Sequence, residues 1–388
     1  MQNYSVSKNN GNFYPIVAKA TVVALPCPTM PALKKKNPHQ MKDAMEHARQ
    51  DLKAQGFTNG LIESLTRSND AFPLRIWVVD NSGSMTTPDG HRLYQTPDNR
   101  VRLLDCSRWA EIQNTVKYHA RVAALLEAPT SFRLLNPTYG KQQFGVAERG
   151  PEHTQEDLRN VLSCISDISP SGVTPLTARV VEIASYLESI KHELFAKGQK
   201  VVIVLATDGL PSDNHGMSST YTMNEFKNAL RSLEGLPIWL VIRLCTDDDD
   251  VVDFYNNIDS QLELSLDVLD DFRAEALEVY EHNKWLNYAL PLHRMREMGF
   301  YHKLFDLIDE RSLTRDELKD FFLLIYGADA LDGLPDPQID WPRFLDRIAM
   351  VTNAEKPQWN PVKRRMMPWI DIRRLDRKYG NHPTCSFW

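Results

Sequence analysis

The chain has 388 residues, longer than one typical domain and enough to bury a large core. Hydrophobic residues make up 42% and charged residues 25%, the mix of a globular protein. A net charge of −6 supplies no overall positive field to draw it to nucleic acid, and no apolar run approaches the ~18 residues a bilayer span needs.

The most apolar N-terminal stretch, Ile16 to Leu25, is interrupted by Lys19 and preceded by only one other lysine, Lys8, so it does not read as a secretory signal. Cys27, Cys106, Cys164, Cys245 and Cys385 are odd in number and lie far apart without a CxxC pair. That argues against a disulfide framework or a zinc site and for reduced thiols in the cytoplasm, with the nucleus as the alternative setting.

Residues 1–71 read as an N-terminal extension. Pro26, Pro28, Pro31 and Pro38 make 26–39 extended, and Lys34, Lys35 and Lys36 within it read as a solvated surface run. A helix is expected from Met41 to Gln55, stopped by Gly56, and a shorter one from Leu61 to Thr66.

From 72 to 283, short apolar runs alternate with helical patterns. The runs are Leu74–Val79, Phe132–Leu135, Phe144–Val146, Val201–Ala206, Pro237–Leu244 and Leu264–Leu269. Helices are expected over Ser107–Glu127, Gln155–Ser163, Pro175–Ala196, Met223–Leu233, Val251–Asp259 and Phe272–His282. Continuous apolar runs belong to strands covered on both faces, so the alternation predicts an α/β domain with a doubly wound, mostly parallel sheet flanked by helices.

Residues 284–388 read as a helical region. Arg294 to Gly327 predicts a helical pair, and a Pro335–Pro337 connector leads to a helix near Trp341–Val351. The tail is basic, with Lys363, Arg364, Arg365, Arg373, Arg374, Arg377 and Lys378 among Trp359, Trp369 and Trp388. Tryptophans packed on the rest of the protein, with a solvated basic face, are the preferred reading over a nucleic-acid grip.

Three segments carry candidate chemistry. Asp80 ends the first buried strand and opens Asp80-Asn81-Ser82-Gly83-Ser84, where Gly83 is expected to permit a sharp turn. Asp208 ends another strand, Val201 to Thr207, and Gly209 is expected to turn the chain after it. Gly172-Val173-Thr174-Pro175 lies between, with Thr174 reading as an N-cap and Pro175 as the first helical residue. In open α/β sheets, ligands bind outside the carboxyl ends of strands, where Asp80 and Asp208 can be neighbours. Two adjacent carboxylates call for a cation between them, and hydroxyls from Ser82, Ser84 and Thr174 complete an all-oxygen set suited to Mg²⁺ or Mn²⁺.

These segments, in this order, resemble the metal-ion-dependent adhesion site of von Willebrand factor A-type domains, a likeness covering about residues 72–283. The resemblance implies a Rossmann-like α/β fold and one divalent metal held by Asp80, Ser82, Ser84, Thr174 and Asp208. It also implies an acidic residue of a partner protein in the vacant position. A non-enzymatic, metal-dependent interaction protein follows. The alternatives are a subunit of a chelatase-, repair- or proteolysis-like assembly, or a metal-dependent phosphohydrolase using the same site, with Asp80 as nucleophile.

Other features read as structural. Asp247 to Asp250 suit a loop entering a helix. Asp306 to Glu317 has the length of a calcium loop, but Arg311 stands where Gly is needed, and Thr314-x-x-Glu317 reads as a capping box. The eleven histidines show no HExxH or paired spacing, and no nucleophile elbow or Walker loop appears.

Overall fold

In the computed structural model the described residues are 38–95, 101–138, 141–246 and 248–380. The lysine triplet, the extended 26–39 segment up to residue 37, Cys27, Asp247, Cys385 and Trp388 lie outside them. Two helices, α1 (Pro38–Ala54) and α2 (Asn59–Ala71), precede β1 (Leu74–Val79). A hairpin follows, β2 (Gly90–Gln95) with β3 (Val101–Cys106), and then α3 (Arg108–Leu126). The chain continues through β4 (Thr130–Thr138), β5 (Lys141–Val146), α4 (Thr154–Asp167) and α5 (Leu176–Lys197). Next come β6 (Val201–Thr207), α6 (Thr220–Arg231), β7 (Ile238–Leu244), α7 (Asp249–Asp259), β8 (Leu266–Leu269) and α8 (Phe272–His282).

The six long-range strands form one sheet in the order β5-β4-β1-β6-β7-β8, parallel throughout except for the β4–β5 pair. Every residue of β1, β6 and β7 is buried, as continuous apolar runs require when helices cover both faces. Alternation decides which face each side chain serves. Leu74, Ile76 and Val78 pack with α5, α6 and α7, whereas Trp77 and Val79 pack with α3 and α4.

The remaining elements build a further core. After α8 come α9 (Leu290–Glu297), α10 (Lys303–Glu310), α11 (Arg315–Tyr326), α12 (Trp341–Ala354), the small hairpin of β9 (Gln358–Asn360) and β10 (Arg365–Met367), and α13 (Ile372–Tyr379). Leu61 and Leu65 of α2 share this core with Trp285, Phe321, Phe322, Phe344 and Trp369. The helical pair expected over Arg294–Gly327 is three helices, because Gly299 at φ +75° and the extended residues Arg311 and Thr314 break the pattern twice. The capping box at Thr314 and Glu317 is formed, and Asp248 caps α7. The first hairpin escapes a reading by apolar runs, since β2 is largely polar and in β3 Arg102 and Asp105 confine the apolar run to Leu103–Leu104. Among the described residues, no helix is long and apolar enough to cross a membrane.

The two halves of this further core meet backbone to backbone. A Cβ on Gly60 of α2 would lie 2.4 Å from the Gly327 nitrogen and 2.5 Å from the Leu324 carbonyl oxygen. The Thr58 hydroxyl, just before α2, donates to the Ile325 carbonyl. Gly60→Ala must therefore push α2 off α11, and a cost of about 1–3 kcal/mol is expected from overpacking. Urea denaturation should show a lowered midpoint with an unchanged slope, whereas an unaltered midpoint would mean that the two helices separate freely.

Candidate functional site

The site lies where the strand order reverses, at the carboxyl ends of β1 and β6. Val79 pairs with Ala206, and the Asp80 N–H donates to the Ala206 carbonyl at 2.8 Å, so Asp80 and Asp208 leave adjacent strands on the same edge. Both side chains are inaccessible to solvent.

Hydrogen bonds lace three loops over this edge. The Ser171 N–H donates to the Asn81 carbonyl at 2.8 Å and the Gly83 N–H to the Gly172 carbonyl at 3.1 Å. Asn81 exchanges two bonds with the backbone of Asn136, at 3.0 and 2.8 Å, and the Asn136 amide donates to the Val173 carbonyl at 2.7 Å. Gly172 is the glycine this arrangement needs. Its φ is +93°, and a Cβ there would sit 2.6 Å from Asn136 Oδ1. Gly83 and Gly209 do not have the role expected of them: neither has positive φ, and neither has an atom closer than 3.7 Å to a Cβ position. The turn after Asp80 is a single 3-10 turn, Gly83–Thr86, that other residues could adopt.

Within the loops the polar atoms form a chain. Asp80 Oδ1 accepts from the Ser82 N–H at 2.8 Å, and Oδ2 accepts from the Thr207 hydroxyl at 2.7 Å. Ser82 Oγ and Ser84 Oγ are 2.9 Å apart, and Ser84 Oγ donates to Asp208 Oδ1 at 2.8 Å. Thr174 is buried, and its backbone is tied to Ser212 by bonds of 2.9 and 3.0 Å, which joins the third loop to the segment after β6. Pro175 takes the N-cap position and Leu176 begins α5, one residue later than expected, because Pro175 has a ψ of 53° outside the helical range.

Arg108 is a component that no motif signals. Its Nη1 donates to Asp208 Oδ2 at 3.0 Å, while Nε and Nη2 hold Asp89 at 2.7 and 2.6 Å. This fork-to-carboxylate grip at the start of α3 fixes the guanidinium beside Asp208. Thr207, Asn81 and Asn136 are likewise silent in the sequence, since their roles depend on which strands adjoin.

Burial, reinforced by the charge of Asp208, pushes the Asp80 carboxyl up to about 6, against the hydrogen bonds from Ser82 and Thr207 that favour its anion. The Tyr255 hydroxyl donates to the Gly209 carbonyl at 3.0 Å, and burial next to Asp80 raises its pKa further above the ordinary phenol value. Three of the site's oxygens stand at hydrogen-bond distance, each from the next, a separation that the ligands of a hard cation also take. Mg–O distances of 2.0–2.1 Å in an octahedron put neighbouring ligand oxygens about 2.9 Å apart. Ser82 Oγ, Ser84 Oγ and Asp208 Oδ1 already stand at 2.9 and 2.8 Å.

No protein-family model matches the chain, and no curated protein matches it. Solved structures similar to it include a point mutant of the PilB minor pilin from Streptococcus sanguinis, 13% identical over 51% of this chain and 57% of that one, with a TM-score of 0.34. The pilus adhesin SpaC from Lactobacillus rhamnosus GG is 14% identical over 51% of this chain and 28% of that one, with a TM-score of 0.30. The chain thus spans under two thirds of either protein, and similarity this low transfers neither family nor activity. The expected membership of the von Willebrand factor A family is corrected by these findings, because nothing in them points to that domain or its adhesion site. The three short segments are built from residue types that turns and helix starts favour everywhere, so their order alone does not define a family.

A raised carboxyl pKa has a definite consequence for stability. The native state holds the Asp80 proton up to about pH 6, whereas the unfolded chain releases it near the ordinary aspartate value of 3.8. The stabilisation is therefore complete below the unfolded pKa and is lost as pH rises through the native one. Asp80→Asn should remove about 2–3 kcal/mol of that pH dependence. Urea denaturation in EDTA at pH 4, 5, 6 and 7, wild type against variant, checks it, and parallel curves would show that Asp80 titrates normally.

Proposed function

We propose that Asp80, Ser82, Ser84, Thr174 and Asp208 bind one hard divalent cation, Mg²⁺ or Mn²⁺, and that the protein uses it to capture an acidic side chain of a partner protein. The observation that carries this reading is the pair of inaccessible carboxylates at adjacent strand ends, with one arginine beside them. Two buried negative charges and one positive charge leave an uncompensated anion, which a cation would neutralise.

The residues divide the work. Both Asp80 oxygens already accept hydrogen bonds, so Asp80 orients the Ser82 backbone and Thr207 and would act on the cation through water. Ser82, Ser84 and Asp208 present the oxygens at ligand spacing. A bound cation would supply an open coordination position for a carboxylate. Arg108 competes for Asp208 Oδ2 and holds the anion in place when the cation is absent.

The same geometry disfavours the rival reading of Asp80 as a phosphohydrolase nucleophile, since both of its oxygens already accept hydrogen bonds. Assay for phosphatase activity with Mg²⁺, beside Asp80→Asn, separates the two. The free thiols of Cys106, Cys164 and Cys245 suit a reducing compartment, cytoplasmic or nuclear.

Calorimetric titration of the full chain with Mg²⁺ should give one site. Asp80→Ala and Asp208→Asn should each weaken it at least about 100-fold, since each removes a charge the cation needs. Arg108→Gln should tighten it by removing the competing guanidinium. At a Mg²⁺ concentration 100 times Kd, the wild type should gain about 2.7 kcal/mol of stability. Partner capture undiminished in EDTA would refute the docking role, and a Mg²⁺ isotherm unaffected by Asp208→Asn would refute the site.

A further inference from the structure

A second group of ligand-bearing side chains meets farther along the same edge of the sheet. His91 lies on β2, Glu111 in the first turn of α3, and Asp271 caps α8 just after β8. One ligand atom from each lies within 4.8 Å of the other two. His91 Nδ1 is 3.5 Å from Asp271 Oδ2, and the His91 N–H donates to Glu111 Oε2 at 2.7 Å.

Each ligand atom is held by a partner that leaves it available. Asp271 Oδ1 accepts the N–H groups of Arg273 and Ala274 at 2.6 and 2.7 Å, which fixes the carboxylate and turns Oδ2 to His91. Glu111 Oε1 is held by Arg243, and Oε2 retains a lone pair beyond its bond from the His91 backbone. His91 Nδ1 is buried without a hydrogen bond, while Nε2 faces Asp105 Oδ1 at 3.6 Å. A ligating nitrogen with a carboxylate behind the opposite ring nitrogen, and ligating carboxylates themselves hydrogen-bonded, is how proteins hold imidazole–carboxylate metal sites.

The group also opens on a cavity of about 160 Å³, room for several waters. His293 and Glu297 line it, each at most 1% exposed, with His293 Nε2 paired to Glu297 Oε1 at 3.4 Å. A wall this polar suits waters that can complete a coordination shell. Electrostatics point the same way. Within 4 Å, among the described residues, Asp271 has only His91 as a cationic partner, and Arg243 divides its charge between Glu111 and Glu297.

We propose that His91, Glu111 and Asp271 bind a second divalent metal, one of the borderline class typified by Zn²⁺, with the remaining coordination positions facing the cavity. One ring nitrogen and two carboxylate oxygens select such an ion over Mg²⁺, which the all-oxygen set at Asp80 and Asp208 suits better. The two sites are independent, and their failures are distinguishable.

The test uses the full chain stripped with EDTA, titrated with Zn²⁺ by calorimetry and with Co²⁺ by visible absorption. The Asp80→Asn background removes the first site. In that background one equivalent of Zn²⁺ is expected, with a Co²⁺ d–d spectrum showing a nitrogen ligand. His91→Ala and Asp271→Asn should each weaken Zn²⁺ at least about 100-fold, and His91→Ala should leave the Mg²⁺ isotherm of the otherwise wild-type chain unchanged. Asp271→Asn keeps the helix cap, so circular dichroism and a retained Tm identify it as folded. No Zn²⁺ uptake in the Asp80→Asn background, or uptake that both variants leave intact, overturns the proposal and reduces the group to an ion pair.

Discussion

A strand with no exposed residue can exist only between two covered faces, and Leu74–Val79 imposes that condition on the molecule. Its odd and even side chains are committed to different helical layers, so α3 and α4 must lie on one side and α5 to α7 on the other. With both faces closed and strands on both flanks, the carboxyl edge is where β1 and β6 can still offer side chains to a ligand. The position of Asp80 next to Asp208 is thus a consequence of core packing rather than an added feature.

The helical region beyond α8 is joined to this sheet through charge as well as apolar contact. Glu297 of α9 is wholly buried and accepts from Arg294 at 2.6 Å and from His119 of α3 at 2.9 Å. Its other oxygen faces Arg243 of β7 at 3.5 Å and His293 at 3.4 Å. The surrounding positive charge and donors hold its carboxyl well below the usual range, while burial pushes His119 down to about 4 and keeps it neutral. A buried anion shared by three elements tolerates little displacement, because removing any partner leaves an uncompensated charge. The Arg75 side chain adds a further tie, donating to the Met298 carbonyl at 3.3 Å. Both proposed sites therefore rest on a rigid frame, as ligand positions held to fractions of an ångström require.

Particular elements show how much of this was legible beforehand. The apolar runs at Leu74–Val79, Val201–Ala206 and Pro237–Leu244 located three central strands, because a strand buried on both faces needs no alternation. The hairpin of β2 and β3 gave no such signal, its apolar residues being broken up by Arg92, Arg102 and Asp105, yet it carries His91 and, just ahead of it, Asp89. Gly299 interrupts an otherwise helical pattern where the backbone crosses Val202, a contact between residues far apart in the chain that no local reading detects.

The sequence by itself determined the α/β alternation, the two strand-ending aspartates and the chemical type of their hydroxyl neighbours, since those follow from local apolar patterning and side-chain chemistry. Motif order suggested a family that the comparisons do not support, because short turn and cap segments recur across unrelated chains. Only the tertiary structure decided that Arg108 pairs with Asp208, that Gly172 rather than Gly83 is the strained glycine, and that His91, Glu111 and Asp271 converge. Each of these is a relation between residues distant in the chain, set by which strands adjoin and which helices cover them.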